Sequence, residues 1–252
     1  MEEAPPEPPP GSALFDSDGV WRVHGHRGGW LYTFEADGLR PRRYKAVAVD
    51  RRFRTGTLYF PPSEGRRPRS ALDFPLDELL FQHYFASRGA LEVHACGIEV
   101  DGRVLLFCGV SGAGKTTTAR LWTRRRPGTP VLSDDRLVIR FRGARPWAYG
   151  TPWHGLGRFA LPYGRPLAAI FFLERGETTQ AVPLSPATAA AALFARGFPP
   201  PWDATALARV LATCERVVTR VPCFRFPFRP DRTAIEGALA AAFPRRERRT
   251  RA

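Results

Sequence analysis

The sequence predicts an α/β chain, a mixed sheet carrying a phosphate-binding loop and C-terminal helices behind a small β-rich N-terminal region. Three observations predict it. Gly109-Val-Ser-Gly-Ala-Gly-Lys-Thr116 fits the pattern G-x-x-x-x-G-K-[S/T], with the apolar run Val104–Cys108 before it and helical spacing over Thr117–Arg125 after it. Asp101-Gly102 joins two strand-like runs and is a strong two-residue hairpin signal. The strand feeding the loop is therefore expected antiparallel to the strand before it. Leu167–Leu173 reads as a further buried strand, and helical patterns follow it.

In chain order, residues 1–12 are acidic and proline-rich and are expected to be disordered. Residues 13–75 form the β-rich region. Its short strands, Trp30–Phe34 and Tyr44–Val49 among them, are separated by turn formers at Asp37-Gly38 and Pro41, and Pro61–Arg69 is a polar connection. Phe74–Ser87 reads as a helix with Asp73 as cap, Asp77 and Glu78 in the first turn, Leu76, Leu79, Leu80 and Tyr84 on one face, and Gly89 as its end. The main domain spans 76–243. Leu91–Val100 and Arg103–Cys108 make the hairpin, and Pro130–Asp135 with Leu137–Phe141 are expected to form a second strand pair. Ser185-Pro186 opens a helix to Phe194, Asp203 caps one reaching about Val218, and Asp231 caps one from Thr233 to Phe243. Residues 244–252 read as a basic, disordered tail, and there is no internal repeat.

Of the 38 basic residues only Lys45 and Lys115 are lysines, a bias toward arginine that points to codon drift rather than to a built basic surface. That one of two lysines occupies the phosphate-loop position is a within-sequence argument for function, since a compact ammonium suits that place better than a guanidinium fork. The net charge of +14 suggests nucleic acid, but the basic residues are scattered. Their densest clusters, Arg124–Arg126 and Arg245–Arg251, lack the interleaved aromatics of a base-stacking platform, so no specific nucleic-acid partner is expected. No apolar run approaches the roughly 20 residues of a membrane span, and the N-terminus lacks the layout of a signal peptide. Cys96, Cys108, Cys214 and Cys223 have no C-x-x-C spacing and read as buried thiols in a reducing cytoplasm.

The glycines of the loop let backbone N–H groups converge on phosphate oxygens, and the following helix offers its positive N-terminal end. Gly109, Val110, Ser111, Gly112, Ala113, Gly114, Lys115, Thr116 and Thr117 are thus the expected nucleotide-binding residues, for ATP, with Lys115 reaching the terminal phosphates and the Thr116 hydroxyl ligating Mg²⁺. Asp134 and Asp135 close the short strand Val131–Ser133, 19 residues beyond Lys115, a spacing that one helix of about 10 residues and a direct return satisfy. Two adjacent carboxylates can divide the tasks of holding a hard metal ion and of orienting and deprotonating a hydroxyl. Neighbouring strand residues face opposite sides, so both reach one site only if the chain turns there. A strand-terminating Asp-Asp turn with Arg136 as surface partner is the structural alternative. His94, in the strand before the hairpin, is either a satisfied core histidine or part of the site.

Val93-His94-Ala-Cys-Gly97, Gly109–Thr116 and Leu132-Ser-Asp-Asp-Arg136 together resemble the catalytic domain of bacterial HPr serine kinase/phosphorylase and its shorter relatives, over residues 90 to 243. That family shares its P-loop fold with ATP-dependent phosphoenolpyruvate carboxykinase. The resemblance implies that Thr116 and Asp134 hold Mg²⁺, that Asp135 is the base toward an acceptor serine, that His94 is the active-site histidine, and that Arg229, in Pro227–Arg232, faces the phosphates. The loop departs from the family in ending Lys-Thr-Thr. Thr151-Pro-Trp-His-Gly-Leu-Gly157 is similar to the family's glycine-bearing signature but lacks its glutamate, which puts phosphorylase activity and HPr as substrate in doubt. The implied activity is an ATP- and Mg²⁺-dependent kinase acting on a hydroxyl of a protein, peptide or small molecule, with homo-oligomerisation compatible. Two alternatives stand beside it, a carboxykinase-like phosphotransferase and a nucleotide-binding regulatory module.

Overall fold

The computed structural model describes residues 6–8, 11–35, 43–59 and 70–244. The turn expected at Asp37-Gly38 and Pro41, the connection Pro61–Arg69, most of the N-terminal segment and the basic tail past residue 244 lie outside the described residues. The described chain forms two compact units, one of residues 1–87 with 200–205 and one of 88–199 with 206–252. The sequence reading divides the chain at residues 75 and 76; in the structure the first helix and a six-residue return group with the N-terminal strands.

Among the described residues, the first unit holds β1 (Ala13–Asp16), β2 (Trp21–His26), β3 (Gly29–Glu35), β4 (Arg43–Asp50), β5 (Gly56–Tyr59) and α1 (Leu76–Ser87). The strands form an antiparallel meander in chain order. Alternation explains its core, because Val23, Tyr32, Phe34 and Val47 point to one face and pack with Leu76 and Leu79 of α1 and with Trp202. The buried stripe of α1 continues through His83 and Ala86 rather than through Leu80 and Tyr84, so the helix is rotated from the expected face. Asp73 meets α1 through its carbonyl, which accepts from the Leu76 N–H, while its carboxylate pairs with the buried ammonium of Lys45. Lys45 also lies over the Phe34 ring. The desolvation cost of that cation, which would otherwise be several kcal/mol, draws the carboxylate away from capping.

The second unit holds β6 (Leu91–Val100), β7 (Arg103–Cys108), α2 (Lys115–Arg125), β8 (Val131–Ser133), β9 (Arg136–Arg142), β10 (Arg145–Gly150), β11 (Gly164–Arg175), β12 (Val182–Pro183), α3 (Pro186–Phe194), β13 (Cys223–Phe228) and α5 (Arg232–Ala242). Between α3 and β13 runs α4 (Ala204–Val218), whose first two residues group with the first unit. Its sheet is mixed, as expected. β6 and β7 are antiparallel across Asp101-Gly102, both in the left-handed region at φ 48° and 69°, as a two-residue hairpin with matching twist requires. β7, β11 and β13 run parallel to one another. Side by side on these strands, Phe171 stacks on Phe107 at 5.1 Å and on Phe224 at 5.3 Å. Ala119 and Trp122 of α2 and Ala234, Ile235 and Ala238 of α5 complete that core. Ser185 caps α3 by accepting from the Thr188 N–H and Asp231 caps α5 by accepting from that of Thr233, both as the sequence reading has them.

The expected second strand pair is corrected. β8 and β9 do not pair with each other; both pair with β6, one after the other along its outer edge. β10 and β13 escaped the sequence reading, each carrying a proline that argues locally against a strand. β10 pairs with β9 on one side and with the start of β11 on the other.

All four cysteines are free and buried. Burial pushes the Cys214 and Cys223 thiols up to about 12, and drives those of Cys96 and Cys108 upward as well. No helix among the described residues is long and apolar enough to cross a membrane.

Candidate active site

The loop Gly109–Gly114 lies between the end of β7 and the start of α2, at the end of the sheet where the parallel strands finish. A ligand held there sits at the carboxyl ends of the strands, the usual crevice of an α/β sheet. Gly114, the residue before α2, has φ 106° and no side-chain cap, which leaves the amides of the first helical turn as donors. A Cβ on Gly114 would stand 2.8 Å from Cζ of Phe228 at the end of β13, so both backbone angle and packing demand glycine here. Lys115 is buried, and its ammonium donates to the carbonyls of Gly109 at 3.0 Å and Val110 at 3.1 Å. Burial lowers its pKa from the ordinary lysine value, with the charge of Asp135 acting in the opposite sense.

Asp134 and Asp135 form the break between β8 and β9, and the chain turns there, so both carboxylates reach one cavity. Ser133 fixes the turn. Fully buried, it accepts from the N–H groups of Asp135 at 3.1 Å and Arg136 at 3.2 Å and donates to the carbonyl of Trp153. Pairing with β6 continues across the break through the Ala95 N–H, which donates to the Asp135 carbonyl.

The two acids have different surroundings. Asp134 is 1% exposed and accepts from the N–H of Gly155 at 2.9 Å, the N–H of Gly157 at 2.8 Å and the hydroxyl of Thr116 at 2.9 Å. The glycine segment after the acids thus grips Asp134 through its backbone. A Cβ on Gly157 would lie 2.6 Å from Oδ2 of Asp134 and 2.7 Å from the Phe159 ring. Asp135 is partly open; its Oδ1 lies 2.9 Å from Nε2 of His94 and its Oδ2 3.2 Å from Nη1 of Arg136. Burial raises the Asp135 pKa, but the His94 hydrogen bond and the charges of Arg136, His94 and Lys115 outweigh it and hold the carboxyl below its ordinary value. Arg136 is itself positioned over the Phe198 ring at 4.0 Å and beside Glu92 at 3.5 Å.

The cavity, of about 300 Å³, is lined by His94, Ser111, Gly112, Gly114, Lys115, Thr116, Thr117, Asp134, Asp135, Gly155 and Leu156. Every residue singled out as catalytic or metal-binding in the sequence therefore faces one space. Of the expected loop residues, Gly109 and Val110 act through carbonyls on Lys115, and Ala113 packs against the core below. Arg229 lies outside the lining; its side chain is exposed and pairs with Asp231 at 3.3 Å. The guanidinium of Arg175, at the end of β11, lies beside the loop, with Nη2 4.0 Å from the Cβ position of Gly112. Sequence reasoning missed Ser133, Gly155, Gly157 and Arg175; the glycine signature was the single signal for two of them.

A divalent cation fits this donor set in one way. Thr116 and Asp134 already touch and offer the hydroxyl and carboxylate oxygens that suit Mg²⁺. Among the described residues no cluster of three or more His, Cys, Asp and Glu could hold a metal ion.

The family model described as "ScmC: SynChlorMet cassette protein ScmC" matches residues 78–225, more than half of the chain. Among solved structures, the Hpr(Ser) kinase/phosphatase from Coxiella burnetii aligns with 59% of this chain and 93% of its own, at 13% identity and a TM-score of 0.36, too distant to carry an argument about activity. No curated protein matches the sequence.

Proposed function

The chain belongs to the SynChlorMet cassette protein ScmC family, and from that premise we propose that its second unit is an ATP- and Mg²⁺-dependent kinase of the HPr kinase type, transferring the γ-phosphoryl group to a hydroxyl of a protein, peptide or small molecule. One observation carries the reading. The Asp134 carboxylate accepts from the loop's own Thr116 while Asp135, the next residue of the same turn, faces the same cavity on His94. A pure nucleotide binder has no use for the second, differently held carboxylate.

In this reading the amides of Ser111 to Thr117 and the Lys115 ammonium bind the phosphates, and Thr116 with Asp134 would hold Mg²⁺. Bound there, the ion would neutralise charge on the phosphate oxygens. Asp135 accepts a hydrogen bond from the acceptor hydroxyl and orients it. As the new P–O bond forms and the bond from γ-phosphorus to the bridging oxygen breaks, Asp135 takes the hydroxyl proton and the nucleoside diphosphate leaves with the bridging electron pair. A carboxylate held below its ordinary pKa is ionised at neutral pH and is a weak base, which suffices for a loose transition state in which the hydroxyl proton departs late. His94 and Arg136 keep that carboxylate charged and aimed.

The test is incubation of the purified chain with γ-labelled ATP, Mg²⁺ and a panel of serine-bearing peptides and small alcohols, alongside Asp135→Asn. Label transfer that the variant lacks supports the kinase. ATP binding without transfer to any acceptor, or transfer undiminished in Asp135→Asn, defeats it.

A further inference from the structure

The first unit carries a groove that phosphoryl transfer does not use. It measures about 280 Å³ and is walled by Val49, Phe53, Leu80, Phe81 and Tyr84, all in that unit. Phe81 is 46% exposed and stacks on Phe85, one turn further along α1, at 5.7 Å. The floor is opened by Gly56. It pairs with Val49, and a Cβ there would sit 3.0 Å from both the Val49 side chain and the Ala48 carbonyl.

Gly56 begins β5, the last strand of the meander, and among the described residues nothing pairs with its outer edge. An unpaired edge is a template for one more strand. A strand added at about 4.8 Å would set every second side chain on the face where Val49, Gly56 and Leu58 lie, directed into the groove beneath α1.

The rim is rigid and positively charged. The turn from β4 to β5 is tied by the Asp50 carboxylate, which accepts from the N–H groups of Arg52, Arg54 and Thr55 and from the Thr55 hydroxyl. Those bonds hold the Asp50 pKa down at about 2 and present Phe53, at φ 54°, with its ring against His83 at 4.8 Å and Tyr84 at 6.3 Å. The same turn carries Arg51, Arg52 and Arg54, all exposed, and Arg54 lines the groove, against the single carboxylate of Asp77 in the lining. Apolar walls, a strand edge that no described strand pairs and an exposed cationic turn with Arg54 at the groove are complementary to one kind of partner.

We propose that this groove and the outer edge of β5 dock an extended acidic peptide segment with apolar side chains at alternate positions, as an added strand. The inference is independent of the kinase reading, and its readout is binding without nucleotide. The probe is a fluorescein-labelled decapeptide of alternating Glu and Leu, titrated with the full chain by anisotropy. Saturable binding is expected that weakens at least tenfold when Lys replaces Glu, when alternate amides are N-methylated, or when the chain carries Phe81→Asp or Arg54→Glu. Both substitutions are at partly or fully exposed positions, and unchanged thermal melting shows that the fold survives. Equal binding of the lysine peptide, indifference to both variants, or no binding of the acidic peptide overturns the proposal. So does a groove occupied otherwise, seen as self-association or as capture by anionic vesicles that Phe81→Asp abolishes.

Discussion

The two sheets of this chain are built by opposite rules. In the first unit the order β1 to β5 is the order of the chain, so every pairing joins neighbours and the result is a scaffold around Tyr32, His83 and Trp202. In the second unit β6 pairs with β7 on one side and with β8 and then β9 on the other, and β7 pairs with the distant β11. The chemistry-bearing residues of the candidate site are all in this second sheet, in the turns between its strands or in the first turn of α2. Non-sequential pairing brings Asp135 to His94 and the end of β7 beside its parallel partner β11, with β13 next in the sheet. A meander brings together only what is already adjacent.

Substitutions can break that contrast. The largest effect is expected for Lys115→Ala, which should lower phosphoryl transfer by roughly 1000-fold through lost charge on the phosphates. Because Lys115 also bonds two loop carbonyls, the variant should lose about 1–3 kcal/mol of stability as well, measurable by denaturant titration. Wild-type turnover in this variant would end the assignment of the loop.

The paired acids come next. Asp135→Asn should reduce transfer by about 100- to 1000-fold while Mg-ATP still binds, since a base is needed only at the reacting step. Asp134→Asn should instead weaken the Mg²⁺ dependence of ATP binding, because the amide removes the negative charge proposed to hold the ion and turns an NH₂ toward the N–H of Gly155 or of Gly157. Mg²⁺ titrations of ATP binding on both variants decide between them, and the opposite pattern exchanges the two roles.

A substitution in the other sheet should separate stability from chemistry. Trp202→Ala empties a site where the indole packs on Phe15, Trp21, Tyr32 and His83 and donates to Nδ1 of His83 at 3.1 Å. It should cost about 3–5 kcal/mol in calorimetry with ATP affinity unchanged below the melting transition. A matching loss of ATP affinity there would contradict the division of labour.

The smallest effect tests the electrostatics of Asp135. Its carboxyl is held below the ordinary value in the fold, so its favourable charge interactions are fully present above the unfolded-state pKa and are lost as pH falls through the lower folded value. The acid limb of kcat/KM due to this group should therefore lie below the ordinary range of an aspartate. His94→Ala removes the hydrogen bond that helps to lower it and should move that limb upward. A limb that stays in place means that His94 does not tune the acid.

The chain of residues alone specified what is encoded within a few neighbours. The loop pattern of Gly109–Thr116, the Asp101-Gly102 hairpin and the Ser185 and Asp231 caps are each complete in fewer than ten consecutive positions, and each formed where the sequence reading has it. Other features depend on partners that local propensity does not name. Tertiary structure alone set β8 and β9 on the same edge of β6, made Asp73 the partner of Lys45 instead of a cap, and returned Trp202 to the first core. The same holds at the site, where Ser133 bends the chain so that two adjacent acids share a cavity and the amides of Gly155 and Gly157 close on one of them. A backbone N–H reads the same in every residue but proline, so its partner some 20 positions away is fixed only when burial forces each polar group to find one.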